Sequence, residues 1–218
     1  MRTMVAASLA ILGIDPGLDE TGYALLSSQE AANLAAGQNL RISTIPPGSP
    51  GSSPAGGSTK GHQPGLQPLS GHRGPPFWPR LFPVRILEAG IIKTKPEEAL
   101  EVRLKTIYLG VLELLAEVQP EAVVVEDLYT DYRHPRTAIL MGHARATILL
   151  AAAQKAIPVI QYSPSRIKKA VTGNGRASKE QVQRMVQSLL NLKELPTPDH
   201  VADALAAALC HLNQQLRG

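Results

Sequence analysis

The sequence predicts an α/β fold: a mixed five-stranded sheet, antiparallel first and parallel later, with helices on both faces. Two observations lead to this prediction. Three strand-like segments come first, with short links apart from one long insertion, which makes them antiparallel neighbours. After Pro96 the apolar residues take helical spacing, and the segment 122–125 between two such helices is entirely apolar, as in a strand buried on both faces. Alternating helices and strands predict the parallel part.

The predicted elements follow the order β-β-β-α-β-α-β-α-α-α. The strands are expected at 9–14, 21–27, 84–94, 122–125 and 159–162. The helices are expected at 96–118, 137–156, 164–171, 178–191 and 199–214.

Local signals place the ends of these helices. Pro96 suits the first turn of the first helix, and Pro120 follows its end. Ser178 and Gln181 form a capping-box pattern at the fourth helix. Asp199 suits the N-cap of the last helix.

Residues 30–83 are predicted to form a flexible Pro/Gly/Ser-rich insertion in a single domain made of residues 1–29 and 84–218. The window 46–83 contains 10 Pro and 8 Gly among its 38 residues. Such a segment buries too little apolar surface to offset the entropy lost on ordering. Its end, 77–82, holds the single Trp and both Phe of the chain. That end is expected to pack on the body, with a partner-binding motif as the alternative.

Charge and cysteine usage narrow the class of protein. The net charge of +4 is local, because residues 31–87 hold five basic and no acidic residues, against 17 basic and 18 acidic elsewhere. The basic balance by itself therefore does not predict nucleic-acid binding. The single cysteine, Cys210, excludes an intrachain disulfide and favours a reducing, cytoplasmic setting. No apolar run reaches the roughly 18 residues of a membrane helix, so no membrane partner is expected.

Three carboxylates occupy positions where parallel strands and the last helix begin or end. Asp15 ends the first strand, Glu126 ends the buried strand, and Asp203 lies near the start of the last helix. A carboxylate at the end of an apolar strand is partly desolvated and needs a compensating partner. If the two strands are parallel neighbours, Asp15 and Glu126 lie side by side. A hard cation such as Mg²⁺ would then relieve their repulsion, and two such ions can support phosphodiester hydrolysis.

Simpler interpretations stay open for each residue. Asp15 precedes Pro-Gly and could simply start a turn. Glu126 could be an ordinary acidic residue at the end of a strand. His200 and Asp203 share one helix face, whereas Asp199 is a rival ligand four residues before Asp203.

Eight short motifs carry a resemblance to a known family. They lie in family order across nearly all of the chain except the insertion, at 11–17, 21–23, 103–108, 125–129, 142–145, 167–175, 179–182 and 202–206. The sequence resembles the RuvC family of crossover-junction (Holliday junction) endonucleases. The resemblance implies a ribonuclease H-like fold, a homodimer and a Mg²⁺-dependent enzyme that resolves four-way DNA junctions by paired nicks, leaving 5′-phosphate and 3′-hydroxyl ends.

The resemblance also implies roles for individual residues. The catalytic and metal-binding positions of the family fall on Asp15, Glu126, His200 and Asp203, with two Mg²⁺ ions expected per subunit. His200 stands where many members have an acid, and because imidazole is a softer ligand, Mn²⁺ is an expected substitute. An additional partner that the family implies is a branch-migration complex of the RuvA and RuvB type.

Three further positions match residues that contact DNA in the family. Tyr129 matches an aromatic residue near the crossover, where stacking on an unpaired base contributes about 1–3 kcal/mol. Lys168 and Lys179 match basic residues near the scissile strand. A buried tyrosine and solvated lysines are the plainer alternatives.

Two other functions are considered. An actin-like ATP-binding kinase shares the sheet and an Ile-Asp-x-Gly turn, but this chain is short for its two domains. A junction-binding protein that does not cut would result if His200 has spoiled the metal site.

Overall fold

The computed structural model describes residues 9–28, 38–46, 84–128 and 135–215. The strands are β1 (Leu9–Asp15), β2 (Glu20–Ser28), β3 (Ser43–Ile45), β4 (Val84–Lys93), β5 (Ala122–Glu126) and β6 (Val159–Tyr162). The helices are α1 (Leu100–Val118), α2 (Pro135–Gln154), α3 (Pro164–Thr172), α4 (Lys179–Leu189) and α5 (Asp199–Gln215).

The six strands form one mixed sheet in the order β3-β4-β2-β1-β5-β6. The β1–β2 and β2–β4 pairs are antiparallel, and the β1–β5 and β5–β6 pairs are parallel, as predicted. In the β1–β5 register, Ile14 lies opposite Val125. The next residues along these strands, Asp15 and Glu126, therefore emerge side by side at the same edge of the sheet.

The expected number of five strands is wrong, because β3 adds a sixth strand parallel to β4. These residues fall in the segment that the sequence analysis placed in the insertion. A three-residue strand has too few positions for a diagnostic alternation, and it forms here because β4 offers an edge with free backbone groups.

Gln38 joins this added segment to the rest of the domain. Its side chain donates to the carbonyl oxygens of Val84 (2.9 Å) and Leu190 (2.8 Å) and accepts from the backbone N–H of Ile86 (3.0 Å). Residues 38–46 thus pack with the folded body. The flexible insertion stays a prediction for 30–37 and 47–83, which lie outside the described residues; the aromatic segment 77–82 is part of the second range.

The helix boundaries show which local signals were informative. The capping box of Ser178 and Gln181 is confirmed at the start of α4. Pro96 does not lie in the first turn of α1, since that helix begins at Leu100 with Ala99 as its N-cap. Asp199 is the first helical residue of α5 rather than its cap.

Two apolar layers cover the sheet, with α1 and α2 on one face and α3, α4 and α5 on the other. Successive strand residues alternate between these layers: Leu12 and Ile14 pack in the α1/α2 layer, and Ile11 packs in the α5 layer. By the same alternation, Asp15 and Glu126 project toward α5. None of the described helices combines the length and apolar composition needed to cross a bilayer.

Candidate active site

The close approach of α5 to the sheet brings its first turn next to the end of β1. Two glycines allow this approach. A Cβ at Gly13 would lie 2.1 Å from the carbonyl oxygen of Ala204, and a Cβ at Gly22 would lie 2.2 Å from that of His200. These distances leave no room for a side chain, so the backbone of α5 lies directly against β1 and β2. His200 and Asp203 are thereby carried to the sheet edge.

Asp15 and His200 form a direct contact across this interface. The Nδ1–H of His200 donates to Oδ2 of Asp15 at 2.7 Å, and the Asp15 side chain is only 17% exposed. This hydrogen bond raises the pKa of His200 above its ordinary value, although burial alone would lower it. The hydrogen bond thus joins the first turn of α5 to the end of β1.

Glu126 lies in the combined field of the other carboxylates. Burial raises its pKa to about 7, and the negative charges of Asp15 and Asp203 add to the increase. Lys168 and Lys179 act in the opposite direction. Because all four neighbours act on one carboxyl group, residues from β1, α3, α4 and α5 share a single site at the end of β5.

Lys179 joins the first turn of α4 to the first turn of α5. Its Nζ lies 3.1 Å from Oδ2 of Asp203 and 3.3 Å from Oδ2 of Asp199. Burial lowers the pKa of Lys179, but the two carboxylates outweigh this effect and raise it overall. The pKa of Asp203 is raised, first by burial and then by Asp15. Lys179 therefore offsets part of the negative charge of the site.

Among the described residues, the sequence-predicted positions lie near one another. Asp15 contacts His200, Asp203 contacts Lys179, and Glu126 is influenced by Lys168 and the other acids. Asp199 lies beside Lys179, with its side chain 57% exposed. Tyr129 lies outside the described residues, so its role in DNA binding stays a prediction.

Sequence reasoning assigned no role to two arginines, of which Arg145 contacts the backbone of Glu126 and Arg103 contacts Asp19 in the loop after Asp15. Arg103 occupies the core-facing stripe of α1 that also contains Ile107 and Val111. Arg145 lies on α2 with its side chain only 12% exposed. The sequence feature that could have indicated a role is a charged residue at a core-facing position of a helix. A charge buried at such a position requires a partner.

The donor set fits a hard divalent cation. Three carboxylates supply oxygen ligands and His200 supplies a nitrogen, which suits Mg²⁺ or Mn²⁺. Burial raises the pKa of Glu126 and Asp203, and the charge of Asp15 raises both further, which indicates a concentration of negative charge that a cation would relieve. As the side chains stand, Asp15 pairs with His200 and Asp203 pairs with Lys179, and within the described ranges no group of three or more His, Cys, Asp or Glu is arranged to hold a metal ion.

Comparisons with known sequences identify relatives. The family model described as crossover junction endodeoxyribonuclease RuvC matches residues 82–211. A protein of Rhodopirellula baltica with that description is 38% identical over 200 residues, which cover 92% of this chain and 84% of the relative. One of Moorella thermoacetica, described in the same way, is 52% identical over 127 residues, covering 58% of this chain and 75% of the relative.

Solved structures extend the similarity to the N-terminal part that carries Asp15. The structure of Thermus thermophilus RuvC matches with a TM-score of 0.67 and 30% identity, covering 96% of this chain and 97% of the other. The complex of T. thermophilus RuvC with a Holliday junction substrate matches with the same score and identity, covering 96% of each chain. These matches confirm the ribonuclease H-like fold that the resemblance implied.

Proposed function

This chain belongs to the RuvC family of crossover junction endodeoxyribonucleases, and we propose that it resolves four-way DNA junctions at the site formed by Asp15, Glu126, His200 and Asp203. The activity follows from family membership, and the residues are our assignment. The observation that carries the assignment is geometric: the parallel register of β1 and β5 brings Asp15 beside Glu126, and His200 of α5 contacts the Asp15 carboxylate at 2.7 Å. Residues separated by nearly the whole chain thus lie at one edge of the sheet.

We assign the metal site to these four side chains. Asp15, Glu126 and Asp203 would hold a divalent cation through carboxylate oxygens, with His200 as a ligand or as the group that orients Asp15. Such a cation lowers the pKa of an attacking water and stabilises negative charge on the phosphate. Mg²⁺ is the proposed native ion, two ions per subunit the proposed number, and Mn²⁺ the proposed substitute.

Residues of the chain itself prepare the site. The hydrogen bond from His200 holds one oxygen of Asp15 and leaves the other available. Lys179 holds Asp203 and places a positive charge at the mouth of the site, where a scissile phosphate would be attracted. Lys168, whose charge reaches Glu126, would contribute in the same way. We propose that Tyr129 stacks on an unpaired base near the crossover.

Paired nicks require two active sites, so we propose that the protein acts as a homodimer. The described part of α2 supports this, because its Ile139 and Leu150 side chains are 59% and 60% exposed. Ile139 and Leu150 lie on the same side of α2, because eleven residues correspond to about three helical turns, and apolar residues along one side of a helix suit packing against a partner. A branch-migration complex of the RuvA and RuvB type and a cytoplasmic location are proposed from the family alone.

The deciding experiment incubates the full chain with a synthetic four-way junction, with Mg²⁺ and with a chelator. We expect paired nicks with Mg²⁺, and binding without nicks in the chelator. Asp15→Asn should keep junction binding and lower the nicking rate by on the order of 100-fold or more, since it removes the carboxylate shared by His200 and the proposed ion. Normal nicking by Asp15→Asn would refute the assigned site. Binding without nicking by the unmodified chain in both Mg²⁺ and Mn²⁺ would select the non-cutting alternative.

A further inference from the structure

Arg103 holds the loop that follows Asp15. Its Nε donates to Oγ1 of Thr94 at 3.0 Å, and its Nη2 pairs with Oδ1 of Asp19. Thr94 in turn donates through Oγ1 to the carbonyl oxygen of Leu18 at 2.6 Å. The backbone N–H of Thr94 donates to the backbone carbonyl oxygen of Asp19 at 3.0 Å. The loop between β1 and β2 is therefore attached to α1 and to the end of β4 through one buried guanidinium group.

Arg145 holds the end of β5 in a similar way. Its Nε donates to the backbone carbonyl oxygen of Glu126 at 3.3 Å, and its Nη2 lies 3.3 Å from Oδ1 of Asp127. The same Nη2 donates to Oε1 of Gln161 on the neighbouring strand. The backbone of Asp127 is also tied to β6, because its N–H donates to the carbonyl oxygen of Tyr162 at 2.8 Å.

The two arrangements correspond. Asp15 and Glu126 project from the sheet toward α5, whereas Arg103 and Arg145 belong to α1 and α2 on the opposite face. Arg145 contacts Asp127, the residue after Glu126. Arg103 contacts Asp19 in the four-residue loop that links Asp15 to β2. These aspartates, Asp19 and Asp127, have side chains 74% and 57% exposed.

Direct DNA contact explains these arginines poorly. Their side chains are only 10% and 12% exposed, so little of either guanidinium is accessible to a phosphate. Packing alone explains them poorly as well, because an apolar side chain would fill the same space without the cost of desolvating a charge. What each guanidinium supplies is directed hydrogen bonds that join two neighbouring chain segments: Arg103 joins the β1–β2 loop to the end of β4, and Arg145 joins the end of β5 to β6.

We propose that Arg103 and Arg145 are positioning residues, which hold the strand ends bearing Asp15 and Glu126 at the separation that a divalent cation requires. The proposal rests on the metal site assigned above. Residues that orient metal ligands through hydrogen bonds typically change metal affinity or activity by 10-fold to 100-fold when they are replaced.

The test compares Arg103→Gln and Arg145→Gln with two matched controls. Lys105→Gln removes an exposed charge from α1, and Lys155→Gln removes one directly after α2. Each protein is titrated with Mn²⁺ while its melting temperature is recorded without DNA, and its nicking rate is measured over the same Mn²⁺ range. We expect the half-saturating Mn²⁺ concentration to rise roughly 10-fold to 100-fold in both arginine variants and to stay unchanged in the controls. Junction affinity in chelator should also stay unchanged.

A second set of variants covers the case in which the arginine variants do not fold. Asp19→Asn and Asp127→Asn change exposed side chains, and each should raise the Mn²⁺ requirement in the same direction. The double variant Arg145→Gln/Asp127→Asn should be no worse than the more affected single variant, because the two residues act through one contact. A lower melting temperature with an unchanged Mn²⁺ requirement in these variants would overturn the proposal.

The two levels of failure are distinguishable. Suppose that the unmodified chain nicks junctions in Mn²⁺ and that Asp15→Asn abolishes this nicking. If the arginine and aspartate variants then behave like the controls, only the positioning role is wrong. If the unmodified chain shows no response to Mn²⁺ in melting temperature or nicking, the assigned metal site is wrong and the positioning role with it.

Discussion

The helix α5 carries two histidines about three turns apart, and their environments have opposite effects. His200 lies at the first turn, 41% exposed, with its Nδ1 2.7 Å from the carboxylate of Asp15, and its pKa is raised. His211 is 5% exposed, its Nδ1 lies 2.8 Å from the hydroxyl oxygen of Tyr162, and burial lowers its pKa. The same side chain on the same helix is thus favoured as a cation at one end and as a neutral group at the other.

The difference separates a functional region from a structural one. Around His200, three carboxylates and Lys179 leave charges that a cation and a phosphate could use. Around His211, a neutral partner satisfies the buried ring nitrogen without introducing charge. An unpaired buried charge is costly, so a titratable side chain with only a structural role is usually neutral. A binding site, in contrast, keeps charged side chains that its ligand can use.

Replacing the two histidines in parallel is the strongest way to break this comparison. We expect His200→Ala to lower the single-turnover nicking rate on a four-way junction by roughly 10-fold to 100-fold, because Asp15 loses its oriented partner. His211→Gln should leave the rate unchanged while lowering the free energy of unfolding. If both variants nick equally well, the functional distinction between the two ends of α5 is wrong.

A substitution at Gly22 tests whether the position of the first turn of α5 matters for activity, in addition to the side chains that this turn carries. Gly22→Ala places a methyl group against the backbone of His200, so we expect a loss of about 1–3 kcal/mol in the free energy of unfolding together with reduced nicking. Denaturant unfolding and the nicking assay measure the two effects.

Gly142→Ala is the matched control for this change, because the one contact of a Cβ there among the described residues is Leu128 at 3.7 Å, an ordinary distance. The substitution in the middle of α2 should be neutral or stabilising by up to about 1 kcal/mol. Full stability of Gly22→Ala would show that α5 can shift away from the sheet without cost.

The identity of the ligand at position 200 should set the metal preference. We expect His200→Asp to raise the ratio of the Mg²⁺-supported to the Mn²⁺-supported nicking rate by a factor on the order of 3–10, since a carboxylate is a harder ligand than imidazole. Rates at saturating concentrations of each ion measure this ratio. An unchanged ratio would mean that His200 acts on Asp15 alone.

His211 should contribute a small dependence of stability on pH. Its pKa in the folded protein is lowered from 6.5, so as the pH falls the unfolded chain takes up the proton first. This contribution to stability is present above about pH 6.5 and is lost as the pH falls toward the lower folded pKa. Denaturant unfolding between about pH 7 and pH 5 should show a smaller loss for His211→Gln than for the unmodified chain. An equal loss in both proteins would contradict this expectation.

Periodicity and capping signals predicted the regular part of the fold well. The strand at 159–162 and the capping box at Ser178 are local patterns, and both match the structure. β3 was missed because its backbone hydrogen bonds are supplied by β4, about 40 residues away in the sequence. The polar anchor Gln38 was missed for the same reason, since its partners lie at Val84, Ile86 and Leu190.

Local patterns were enough to predict which residue types stand at the strand ends and at the first turn of α5, because strand alternation and helical spacing are properties of short stretches of chain. Motifs in a characteristic order were enough to indicate the family. The packed fold was needed to show that His200 pairs with Asp15, that Lys179 pairs with Asp203, and that two core-facing arginines pair with aspartates in the loops after β1 and β5. These contacts depend on the distance between a helix and a sheet, which two glycines and the packing of many side chains determine together.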